Sequence, residues 1–193
     1  MKDDKRIINF FFEAGFLQNL QRTGIPYLGS GKQSVAEHSF RVTVIGFSMA
    51  CMLGADANKV MKMCLFHDLE EARTGDLNYL QQKYVQSDDE KALKHALEGL
   101  PMEAELADLI DEYASQASLE AKIAKEADVL ELIMFLKEEL DKGNEQAGNW
   151  IKSALKRLKT EKGAQLAESI LETRYYEWWY GDGNGWDKGS KHW

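Results

Sequence analysis

Residues 34–76 read SVAEHSFRVTVIGFSMACMLGADANKVMKMCLFHDLEEARTGD. Two successive helices are legible here. Ser34 and Glu37 stand at capping-box spacing, serine as N-cap and glutamate three residues on, and open an apolar helix over about 35–53. Gly54 stops it, and Asp56 can cap a second helix over about 57–72.

The helical pattern extends outward from this stretch. Upstream, Ile7, Ile8, Phe11, Phe12, Gly15, Leu17 and Leu20 give a broad apolar face to a first helix over about 4–21. The glycine-rich RTGIPYLGSGKQ, Arg22 to Gln33, then reads as a loop. Downstream, ARTGDLNY turns the chain into a polar helix ending at about 98, and Pro101 starts another at its first turn. Ser118 can cap a long apolar helix reaching about 141 and ending near Gly143. Helices over about 145–160 and 163–179 complete an all-α chain, since alternating β-branched runs are scarce and only two prolines occur. We expect one domain over 1–180 and an irregular tail over 181–193. Tyr175, Tyr176, Trp178, Trp179 and Tyr180 have three readings: packing on the core, a subunit interface, or base stacking.

Composition narrows the functional classes. A chain of 193 residues with 44% apolar and 29% charged residues suits a globular protein with a real core. Its formal charge of −8 repels nucleic-acid backbones but still allows a small anion at a local positive site, which a bound divalent metal can supply. Cys51 and Cys64 lie in apolar stretches outside any CxxC pair and read as buried free thiols, in keeping with a reducing cytoplasm. The opening MKDDKRIINFFFEAGFL lacks a signal-peptide pattern, and no apolar run has the length of a membrane span.

Two of the four histidines stand out. His95 in a polar helix and His192 in the tail read as surface residues. His38 follows Glu37 at the start of an apolar helix, and His67 with Asp68 ends the run VMKMCLF. Each segment alone also fits a hydrogen-bonded histidine or a helix-end polar pair. Together, imidazole nitrogens and carboxylates make a ligand set for a divalent transition metal, with positions left for water and substrate. On a helix, Glu71 lies on the face of His67 and Asp68 one turn away, where it can orient water or move a proton. Glu70 points about 100° away and reads as solvated. Asp76, after Gly75, either contacts a sugar hydroxyl, assists proton transfer, or caps a segment beginning at Leu77. Asp128, in IAKEADVLELIMFL, has Ala124 and Leu132 one turn away; it is either ion-paired with Lys125 at i−3 or coordinated.

The order His38, His67-Asp68, Asp128 resembles the HD-domain superfamily of metal-dependent phosphohydrolases. The longer strings SVAEHSFRV, LFHDLEEARTGD and LEAKIAKEADVLELI resemble, in order and spacing, three motifs of its 5′-deoxynucleotidase family, over roughly residues 7–142. The resemblance implies an all-α HD-domain helical bundle, a homodimer, and hydrolysis of deoxyribonucleoside 5′-monophosphates. It implies His38, His67, Asp68 and Asp128 as ligands of one divalent ion (Mn, Co, Zn, Ni, Fe or Mg), with Glu71 and Asp76 as catalytic and substrate-contacting acids. Arg22, in QRTG, resembles an arginine that faces the substrate phosphate and sugar, a task its planar fork suits. The chain departs from the pattern after Arg22: Thr23-Gly24-Ile25-Pro26 stands where relatives often carry a tryptophan. Other members cleave guanosine tetraphosphate; Arg22, Arg41, Arg73 and Lys122 are the cations available for so charged a substrate. A non-catalytic nucleotide-binding regulator is a further reading, which Glu71 and Asp76 argue against.

Overall fold

The structure, a computed structural model, describes residues 2–180. Among these the regular elements are all helices, with one isolated antiparallel bridge between Gln21 and Ser34. The helices are α1 (Lys2–Phe16), α2 (Ile25–Leu28), α3 (Val35–Leu53), α4 (Ala57–Phe66), α5 (Glu71–Thr74), α6 (Asp89–Leu97), α7 (Glu103–Ser115), α8 (Leu119–Asp141), α9 (Glu145–Leu155) and α10 (Glu161–Glu172). None is long and apolar enough to cross a membrane.

The chain divides into two compact units, Met1–Glu131 and Leu132–Trp193. The first holds α1 to α7 and the first part of α8. Its core includes Leu28, Val35, Val42, Met49, Val60, Met63, Cys64, Leu97, Leu106, Ile123 and Ala124. The second holds the rest of α8 with α9 and α10, around Ile133, Leu136, Ile151 and Ala167. The expected tail, including His192, lies outside the described residues.

Local signals set most helix starts. Ser34 accepts from the Glu37 amide while the Glu37 carboxylate accepts from the Ser34 amide, the complete capping box. Gly54 ends α3 in the left-handed region, at φ 68°, where glycine has no Cβ penalty. Asp56 caps α4 through the amides of Asn58 and Lys59, and Ser118 accepts from the Ala121 amide at the start of α8.

Tertiary bonds shorten other elements. The first helix stops at Phe16 rather than near 21, because the carbonyls of Leu17 and Leu20 accept the amides of Ala36 and Val35 in the first turn of α3. The 22–33 loop contains the single turn α2, closed by Gly29 at φ 84°. The helix expected over 57–72 breaks after Phe66, as described below. The last two helices end earlier than expected, at Leu155 and Glu172. Tyr175, Trp178, Trp179 and Tyr180 lie beyond α10 and are exposed, against the reading that they pack on a core, while Tyr176 is half-buried.

The α3–α4 pair is the most extensively packed in the fold. It meets at Gly46, where an added Cβ would stand 2.5 Å from Cys64 Sγ and 3.1 Å from Val60 Cγ1. Both neighbours are fully buried and cannot turn away. Gly46→Ala is therefore expected to destabilise the protein by about 1–3 kcal/mol, as overpacking of a core does. A thermal melt checks this; an unchanged Tm would show that the helices separate freely. Cys64 is thus buried as expected, whereas Cys51 is exposed. Cys51 falls four residues after Phe47 and eleven after Phe40, on the outward face of α3.

Candidate functional site

His38 stands one turn into α3 and is completely buried. His67 follows α4, and Asp128 lies on α8. Folding brings them together: His38, His67 and Asp128 each offer a ligand atom, all within 4.8 Å of one another. The rings of His38 and His67 have centroids 5.4 Å apart. Asp68 Oδ2 lies 3.2 Å from His67 Nε2 and 3.7 Å from His38 Nε2, and Asp128 Oδ1 lies 3.4 Å from His38 Nε2.

The outer ring nitrogens decide what the inner ones can do. His67 Nδ1 donates to the Cys64 carbonyl at 2.9 Å, and His38 Nδ1 lies 2.5 Å from Glu131 Oε2. With Nδ1 as donor on both rings, each imidazole in its neutral form turns an Nε2 lone pair inward. Both Nε2 atoms are buried and make no hydrogen bond of good geometry, facing carboxylate oxygens at 3.2–3.7 Å instead. Buried polar atoms without such a bond are costly and rare. Two inward imidazole nitrogens beside carboxylate oxygens suit a divalent transition-metal ion.

The same His67–Cys64 bond accounts for the helix break. The imidazole caps a carbonyl of the last turn of α4, and the chain tightens through Leu69 N–H to Phe66 O and Glu71 N–H to Asp68 O before α5 begins. Two expectations change. Glu70 is not solvated: it is half-buried, its Oε2 has no partner, and burial pushes its carboxyl up to about 7. Asp76 does not cap a helix at Leu77. Its Oδ2 accepts the Thr23 amide at 2.5 Å and lies 3.1 Å from Thr23 Oγ1, while Asn78 Oδ1 accepts the amides of Leu80 and Gln81. Asn78 Nδ2 also donates to the Thr23 carbonyl at 3.2 Å. The segment after α5 is thereby pinned to the loop that carries Arg22.

Arg22 Nη1 reaches to 3.6 Å from Asp68 Oδ2. Burial opposes its charge, but Asp68, Asp128, Asp76 and Glu131 outweigh that and raise its pKa. Burial also disfavours the His38 imidazolium, yet Asp128 and Glu131 raise it to about 9. Desolvation would raise Asp68, but His67, His38 and Arg22 hold it down at about 2. Asp128 is likewise held well below the usual carboxylate range against its burial, by His38 and Lys125. Glu71 goes the other way: burial first, then repulsion from Asp68 and Asp76, pushes it up to about 10, and its Oε2 has no partner. The cluster thus sets Asp68 and Asp128, whose ionised forms their neighbours favour, beside Glu71, whose neutral form burial and the nearby acids favour.

The ion-pair reading of Asp128 holds, since Lys125 Nζ lies 3.1 Å from its Oδ2, and its Oδ1 faces His38 Nε2. Of the other cations considered for a highly charged substrate, Arg41 is engaged by Glu131, Arg73 by Glu13, and Lys122 is exposed. His95 is exposed, as expected. Sequence reading missed Glu131 and Tyr113. The Tyr113 ring lies 5.4 Å from the His67 ring, tilted by 59°, and its hydroxyl accepts from Lys125 Nζ at 3.0 Å. The signal for Glu131 was present, since it follows Asp128 by three residues on one helix face.

Comparisons with known proteins agree with this geometry. A family model described as an HD domain matches residues 14–170. The 5′-deoxynucleotidase HDDC2 of Xenopus laevis is 29% identical over 182 residues, covering 88% of each chain. Its Mus musculus counterpart is 28% identical over 189 residues, covering 86% of this chain and 93% of that one. A conserved hypothetical protein from Pyrococcus furiosus superposes with a TM-score of 0.72 at 28% identity, covering 86% of this chain and 99% of the other.

Proposed function

This chain belongs to the HD-domain family, and from that premise we propose that it is a metal-dependent 5′-deoxynucleotidase, cleaving deoxyribonucleoside 5′-monophosphates to nucleoside and phosphate. The observation that carries the proposal is the pair of buried imidazole Nε2 atoms turned toward Asp68 and Asp128, with His38, His67 and Asp128 each offering a ligand atom within 4.8 Å of the others. The 5′-deoxynucleotidase relatives named above supply the substrate class.

His38, His67, Asp68 and Asp128 would hold one divalent ion, with Mn, Co, Zn, Ni, Fe and Mg all compatible with nitrogen and oxygen ligands. Such an ion supplies Lewis acidity to a water nucleophile and to the phosphoryl oxygens. Arg22, held charged among acids, binds phosphate oxygens through its planar fork. Glu71 holds a proton at a half-buried carboxyl and delivers it to the leaving 5′-oxygen as water adds to phosphorus, and the proton given up by that water restores the carboxyl. Asp76 fixes the Arg22 loop through Thr23, and its carboxylate would meet a sugar hydroxyl of the substrate.

The test is phosphate release from metal-stripped protein with Mn, Co, Mg or Zn restored, on deoxy- and ribonucleoside 5′-monophosphates with guanosine tetraphosphate alongside. Metal-dependent release from the deoxynucleotides is the expected result. Pyrophosphate release from the tetraphosphate with silence on monophosphates would overturn it, as would tight nucleotide binding without any phosphate release.

The working form we propose is a homodimer in the cytoplasm. Phe40, Val44 and Phe47 are 71%, 50% and 42% exposed and follow one another at helical spacing along α3, with exposed Cys51 continuing the row. An uncharged stripe of this kind supports an interface between copies, and an exposed free thiol suits a reducing compartment. Phe40→Glu is expected to convert the dimer to monomer, read by size-exclusion chromatography with light scattering. A wild-type monomer, or a variant that stays dimeric, would remove α3 as the interface.

A further inference from the structure

Glu131 is fully buried, and its two carboxylate oxygens have different company. Oε2 lies 2.5 Å from His38 Nδ1. Oε1 accepts from Gln33 Nε2 at 2.6 Å, Arg41 Nε at 2.9 Å and Arg41 Nη2 at 2.8 Å. The Gln33 carbonyl in turn accepts the Arg22 amide at 2.9 Å. One turn of α8 therefore holds both nitrogens of the same imidazole, since Asp128 Oδ1 lies 3.4 Å from His38 Nε2.

We infer that Glu131 is a positioning residue: clamped by Gln33 and Arg41, it keeps the proton of His38 on Nδ1 and so reserves the Nε2 lone pair for the metal. The inference rests on the metal reading above and concerns a side chain outside the four proposed ligands. A neutral imidazole carries one N–H, and the partner of one nitrogen decides where it sits. An ionised carboxylate can only accept, so it selects the donor form of Nδ1. The donors on Oε1 prevent Glu131 from turning away, and Arg41 offsets its buried charge.

This arrangement makes an unusual prediction for the near-isosteric change Glu131→Gln. Arg41 can only donate, so the new amide must keep its oxygen toward Arg41 and present its NH2 group to His38. Nδ1 must then accept, which moves the proton onto Nε2, the atom aimed at the site. Glu131→Ala merely removes the guide. Co2+ affinity, measured by titration of chelator-stripped protein, is therefore expected to fall by about 10–100-fold in E131Q and by less in E131A. A packing role predicts the opposite order, because glutamine fills the space and alanine does not. Adding Arg41→Met to E131Q lets the amide turn its oxygen toward His38, and part of the affinity is expected to return. Thermal melts in chelator report the fold of each variant separately from binding.

E131Q that binds Co2+ within about threefold of wild type would overturn the inference, since outer partners of ligating histidines normally contribute more than that. Weaker binding by folded E131A than by E131Q would overturn it too. Wild-type protein that binds no Co2+, Zn2+ or Mn2+ would instead sink the metal reading, and the inference with it.

Discussion

Replacing His67 by alanine is expected to lower phosphate release from deoxynucleoside 5′-monophosphates by ~10³-fold or more, the loss of the several kcal/mol that a bound ion contributes to charge stabilisation. The size follows from the geometry. Among the described residues His67 contributes one of two imidazole nitrogens that face inward, and its ring is fixed from behind by the Cys64 carbonyl and flanked by Tyr113. Without that nitrogen the remaining group is one imidazole among carboxylates, which holds a transition-metal ion less well. Asp68 and Asp128 would then repel each other with less compensation. The check is a paired measurement of turnover and Co2+ affinity on folded protein. Loss of both together is the expected pattern, whereas near-wild-type turnover in chelated His67→Ala would exclude metal-dependent chemistry at this cluster.

Glu71→Gln is expected to separate chemistry from binding. Glutamine keeps the shape of the side chain but cannot hold or deliver a proton, so kcat should fall by about 10²–10⁴-fold, the usual contribution of a general acid or base. Co2+ affinity should stay close to wild type, since Glu71 is outside the proposed ligand set. The elevated carboxyl is the reason for assigning it the proton. Burial and the charges of Asp68 and Asp76 push it up to about 10, while its Oε2 stays free of any hydrogen bond. An unchanged kcat would remove Glu71 from the reaction. A collapse in metal affinity would make it a ligand.

What reading the chain alone could and could not reach divides along a physical line. The Ser34–Glu37 capping box, the stop at Gly54 and the caps at Asp56 and Ser118 involve partners within a few residues, and all stand where the sequence places them. The approach of His38, His67 and Asp128 was suggested by motif order and is seen in the fold. Misreadings cluster where a side chain bonds to backbone. The break after Phe66 follows from the His67 imidazole taking the Cys64 carbonyl, and once that turn tightens, helical projection no longer places Glu70 in solvent.

The all-α class and the order of the helices were determined by the sequence itself, because caps, periodicity and glycine stops act between near neighbours, while the candidate ligands came from the motif order of a family resemblance. Tertiary structure alone decided that Asp76 anchors Thr23 across 53 residues and that Glu131 takes Gln33 across 98. No periodicity encodes such pairs. They exist because a buried carboxylate must find donors wherever the packed helices place them, and that is settled only when the core closes.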